Sequence, residues 1–216
     1  FEMGLAKEKY NTYVKILNEE LVPAFGCTEP IAIAYCAAKA REVLGKYPEQ
    51  VVIEASSNII KNVKSVIVPN TGGLKGIPAA AAAGIVAGDA LKQLEVITDV
   101  PGHKKEEIRH YLENTQFKVK ALESGDKLDI RITVTSGLDT AVVRIAKTHT
   151  NLVRIEKNSE VLFQKEEDTT NTSHQADRTL LSVEDIILFA EEVDLLEVEE
   201  VLDRQVSYNY KIAQEG

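Results

Sequence analysis

The residues best suited to chemistry lie in Gly26-Cys27-Thr28-Glu29-Pro30. Cys27 falls just before a run whose spacing predicts a helix over about 29–44, and the unpaired N–H groups and dipole at a helix start favour an anion. A thiolate held there can serve as a base or a nucleophile. Gly26 lets the backbone approach closely, and Thr28 can cap the helix. Glu29 is an acid–base partner, or only a first-turn carboxylate that suits the dipole. The plain alternative for Cys27 is a small, buried and inert side chain, because free cysteine is among the most buried residue types. Cys36 lies nine positions on, in mid-helix, and is expected to pack as a small apolar residue.

A second candidate is Pro69-Asn70-Thr71-Gly72-Gly73-Leu74-Lys75-Gly76-Ile77-Pro78. A glycine-rich loop that runs into a helix presents backbone N–H groups to an anion. It lacks the Gly-Lys-Ser/Thr of a nucleotide loop, so a carboxylate is the better guest. The same residues also make an ordinary flexible turn, and both readings stand. Asn58 can offer an amide to a polar substrate or cap a helix. In Thr148-His149-Thr150-Asn151 the histidine is either a hydrogen-bonded structural residue or part of a site. His103, His110 and His174 have no partners nearby, and the four histidines form no metal signature.

Positioning these groups requires the following elements. Tyr10, Val14, Leu17 and Leu21 recur at helical spacing, ending near Pro23. The 29–44 helix has Pro30 in its first turn and Gly45 at its carboxyl-terminal cap. Val51 to Ala55 reads as a buried strand. Helices are expected over about 78–94, with Ala80, Gly84 and Gly88 on one close-packing face, and over about 103–114. Then the period changes: Leu128, Ile130, Ile132 and Val134 alternate with Asp129, Arg131 and Thr133. Strands are also expected over 117–122, 141–147, 152–156 and 161–164, separated by turn residues. Polar residues follow, then a helix over 183–192 capped by Ser182 and a last helix from Leu195.

The expected class is α+β, a helical domain with an inserted antiparallel β subdomain. Residues 1–114 form the helical domain that carries the cysteine loop, 115–165 the β subdomain, 166–181 a polar linker, and 182–216 helices that rejoin the helical domain. The 216-residue chain has 44% hydrophobic residues and no Trp, so its core must be mostly aliphatic. A net charge of −9 argues against a nucleic-acid surface. The longest apolar stretch, Ile77 to Gly88, is about a dozen residues, against the roughly twenty of a membrane span. Two cysteines are too few for a disulfide framework, which together with a charged start fits a cytoplasmic protein. The chain opens on Phe1 rather than Met, as a processed, tagged or excised chain does, and its end directly after a helical pattern fits a complete or a truncated chain equally.

Gly26-Cys27-Thr28-Glu29-Pro30 with Ile31-Ala32-Ile33-Ala34 resembles the amino-terminal motif of the L-cysteine desulfidase family, relatives of the iron–sulfur L-serine dehydratases. Ser57-Asn58, Val68-Pro69-Asn70-Thr71-Gly72-Gly73, Gly76-Ile77-Pro78 and Thr148-His149-Thr150-Asn151 resemble its later segments, in order. The resemblance implies a lyase that turns L-cysteine into pyruvate, ammonia and sulfide, or L-serine into pyruvate, ammonia and water. It implies a [4Fe–4S] cluster, with Cys27 removing the α-proton and Glu29, Asn58, Asn70, Thr71, Gly72, Gly73 and His149 binding substrate. The cluster needs three or more thiolates, and this chain has two cysteines. The chain is therefore read as the amino-terminal half of the lyase, inactive alone, packing against a missing carboxyl-terminal half. The expected partner is a small amino acid, with no nucleic acid and no membrane, and a homo-oligomer is compatible. The alternative is a non-catalytic, amino-acid- or carboxylate-binding regulatory module.

Overall fold

The computed structural model describes residues 4–23, 26–165 and 176–215. The contacts divide the chain into two units, 24–166 and 1–23 with 167–216. Most of the expected linker, with His174, lies outside the described residues.

The larger unit is built on a mixed sheet of six strands: β1 (Gln50–Ala55), β2 (Gln116–Ala121), β3 (Asp129–Ser136), β4 (Asp139–Ala146), β5 (Leu152–Lys157) and β6 (Glu160–Gln164). Their order is β2-β1-β3-β4-β5-β6. The fold is α+β, as the change of period implies. The sheet is not purely antiparallel, because β1 and β2 pair in parallel, and this also ties the early strand to the later ones. A parallel pair needs a long crossover, here supplied by the helices between the two strands.

Period-two alternation sets the register. Val51, Val134 and Ala141 align across β1, β3 and β4, as do Ile53, Ile132 and Val143, and then Ala55, Ile130 and Ile145. All nine are fully buried. A one-residue slip would turn this set to the other face. That other face carries Glu54, Arg131, Arg144 and Arg154, matched row by row across the strands.

Helix α2 (Thr28–Leu44) lies against β3 and β4 on the apolar face. Its Ile31 to Ala38 are buried without interruption, so it is apolar all round rather than amphipathic. Helix α4 (Gly76–Ala87) packs on α2. A β-carbon on Gly84 would lie 2.0 Å from the Ala34 carbonyl oxygen, so only glycine permits this crossing. The helix expected over 78–94 breaks at Gly88, which is extended (φ −75°, ψ 138°). Asp89 then caps a separate 3₁₀ turn by accepting from the Leu91 N–H. Two further helices complete this unit, α3 (Ser57–Val63) and α5 (Gly102–Asn114). At seven residues α3 is too short for periodicity to reveal.

The smaller unit holds α1 (Lys7–Glu20), α6 (Val183–Glu192) and α7 (Leu195–Glu215). Phe189 meets Tyr10 and Tyr13 edge-on, at 5.5 and 5.4 Å between ring centres. Ser182 caps α6 through the Asp185 N–H, as its sequence signal implies. Among the described residues no helix is long and apolar enough to cross a membrane.

Candidate functional site

Strand directions gather the candidate residues at one end of the sheet. The carboxyl ends of β1, β2 and β4 lie there with the amino ends of β3 and β5. Asn58 follows β1, and His149 stands between β4 and β5. Helix α2 turns into β1 within a few residues, so it runs against that strand and brings its own amino terminus to the same end.

Cys27 is exposed, so this thiol is not packed in the core. It occupies the N-cap position itself (φ −65°, ψ 126°), and its side chain makes no capping hydrogen bond to α2. Thr28, expected as the cap, is instead the first helical residue. Gly26 stands at φ +97° against Pro69, where a β-carbon would come within 2.6 Å of Cγ, so the cysteine loop and the glycine loop touch. The other thiol is sealed: Cys36 donates to the Val143 carbonyl at 3.4 Å, and burial pushes its pKa well up.

Glu29, two residues past the thiol, accepts a hydrogen bond from Asn62 Nδ2 at 2.9 Å. Sequence reasoning missed Asn62, whose only signal is its place one turn after Asn58. His149 is half-buried. Burial holds its imidazole below the ordinary histidine range, and the Glu29 carboxylate partly offsets this. The first-turn carboxylate of α2 is thus close enough to His149 to act on its titration.

The glycine loop is rigid rather than free. Asn70 (φ +59°) donates from Nδ2 to the carbonyls of Ile97 and Thr98, at 2.9 Å each. The buried Thr71 hydroxyl donates to the Val68 carbonyl at 2.7 Å and accepts from the Leu74 N–H at 3.1 Å. Both side chains hold the loop and leave little to offer a ligand. Gly72 and Gly73, at φ +71° and +90°, are exposed. Asn58 sits in the first turn of α3 and lines a cleft of about 490 Å³ with Ser56, Ser57 and the 122–127 loop.

The chain's own donors do not fit an iron–sulfur cluster. Cys36 is closed in the core, leaving one accessible thiol, and among the described residues no three of His, Cys, Asp and Glu gather as a metal site.

No family model and no solved structure matches the chain. It is similar to a UPF0597 protein of Desulfitobacterium hafniense, 55% identical over 207 residues, covering 96% of this chain and 48% of that protein. A UPF0597 protein of Treponema denticola is 46% identical over 99% of this chain and 50% of its own length. One from Shewanella oneidensis is 35% identical over 97% of this chain and 49% of its own. The chain spans about half the length of the curated relatives it matches.

These findings correct the expected resemblance. The relatives carry the name UPF0597 and no lyase or iron–sulfur name, so the assignment to the L-cysteine desulfidase and L-serine dehydratase-like family is withdrawn. The iron–sulfur lyase activity goes with it, and those names lend no support to the regulatory module either. The reading as an inactive amino-terminal piece of that lyase, packed against its missing half, depended on the same resemblance and is withdrawn with it.

Proposed function

We propose that this end of the sheet is the active site of an enzyme that uses the Cys27 thiol on a small, carboxylate-bearing substrate. The observation that carries this reading is the exposed thiol at the head of a helix whose body is otherwise buried. Unpaired amides and the helix dipole at that position stabilise a developing negative charge. His149, kept neutral at pH 7 by burial, can take up a proton, and Glu29 stabilises the imidazolium that results. The exposed Gly72 and Gly73 amides would receive the substrate carboxylate. The contact of Gly26 with Pro69 supports this reading, because catalysis needs the anchor held close to the reacting sulfur.

The test is protection of Cys27 from iodoacetamide, followed by intact mass. Acetate, glycolate and lactate should slow the reaction saturably, and acetamide should not. Equal rates with carboxylate and amide would contradict the proposal.

A further inference from the structure

Helix α5 contributes a cation to the glycine loop that the sequence did not single out. Arg109 Nη2 lies 3.9 Å from the position a β-carbon on Gly72 would take. Its one ion-pair contact among the described residues is Nε to Glu106 Oε2 at 3.8 Å, beyond hydrogen-bond length, with a glutamate side chain that is 79% exposed. The guanidinium donors that face the loop are therefore available. The loop beneath is fixed from below by Asn70 on Ile97 and Thr98 and by the Thr71 hydroxyl, while Gly72 and Gly73 are exposed on left-handed backbone. Lys75, the other cation of this loop, is exposed and stands at the N-cap of α4.

We infer that Arg109 is the specificity-determining residue of this loop, forming a two-pronged hydrogen-bonded pair with the oxyanion of the substrate over Gly72 and Gly73. This rests on the carboxylate reading proposed above and names the group that enforces it. The planar fork of arginine matches a carboxylate or phosphate in a way that a point-charge ammonium does not. Glycine at 72 leaves the space between guanidinium and backbone open, and any side chain there would enter it.

Amide NMR of the full chain, titrated separately with acetate and with inorganic phosphate, tests the inference without reference to Cys27. The Gly72 and Gly73 signals should shift saturably in the parent. Arg109→Gln should weaken that binding at least tenfold, as expected for a charge-assisted pair. Arg109→Lys should recover only part of it, and Lys75→Gln should stay within about twofold of the parent, the size of a screened surface charge. The rest of the spectrum reports whether each variant is folded. Parent-like binding by Arg109→Gln, an equal loss in Lys75→Gln, or no saturable shift in the parent would each overturn the inference. Binding at Gly72 and Gly73 without protection of Cys27 would sink the thiol enzyme and leave the arginine assignment standing. Tighter phosphate than acetate binding would identify the anion as a phosphate.

Discussion

Gly26 and Pro69 join the two loops of the site: a β-carbon on Gly26 would lie 2.6 Å from Pro69 Cγ, on backbone at φ +97°. Gly26→Ala should therefore destabilise the chain by about 1–3 kcal/mol, combining left-handed backbone cost with overpacking. Urea unfolding measures it. Adding Pro69→Ala should recover only the steric share. A Gly26→Ala variant as stable as the parent would show that the contact is looser than described.

The α2–α4 crossing should be equally intolerant. Gly84→Ala would press a methyl group into the Ala34 carbonyl, 2.0 Å away, whereas Gly125 has nothing within 4 Å of its β-position and no left-handed backbone. A loss of about 1–3 kcal/mol is expected for Gly84→Ala. Gly125→Ala should stay within about 0.5 kcal/mol of the parent. Matching losses in the two variants would refute the packing account.

Asp129 is fully buried and accepts from Arg144 twice, Nε to Oδ1 at 2.9 Å and Nη2 to Oδ2 at 2.6 Å. Asp129→Ala should cost about 1.5–3 kcal/mol in urea unfolding, the range for hydrogen bonds between charged groups. A surface-like loss below about 1 kcal/mol would mean that the pair is solvated.

His149 should titrate below an ordinary histidine, because burial disfavours its charged form. Its folded midpoint lies below the unfolded one, so over that interval the unfolded chain binds more protons. Stability should then fall as pH drops from about 6.5 through the folded midpoint. Glu29→Gln should lower the midpoint further, since that carboxylate raises it. Imidazole proton NMR checks both, and an unchanged midpoint in Glu29→Gln would separate the two residues.

The sheet was legible because alternation over Leu128–Val134 is a property of local sequence, as were the helix limits at Pro30, Gly45 and Ser182. The parallel β1–β2 pair was not, since pairing across sixty residues leaves no local trace in either strand. Short α3 and the break at Gly88 escaped for related reasons: one is below a readable period, and the other depends on Asp89 finding the Leu91 amide. In the site, cysteine before a helix start correctly placed Cys27 at the head of α2. Residue type alone does not show that the donors of Asn70 and Thr71 serve the backbone. Asn62 and Arg109 act through long-range contacts that no motif encodes.

The most direct measurement is the rate at which each cysteine is alkylated by iodoacetamide in the folded chain, resolved by peptide mass. Cys27 should react alone, at a rate that falls about tenfold or more in His149→Asn, on the scale of lost proton-transfer assistance, while Cys36 should react only after unfolding. Cys27 reacting no faster than a small free thiol, and indifferent to His149→Asn, would contradict the account.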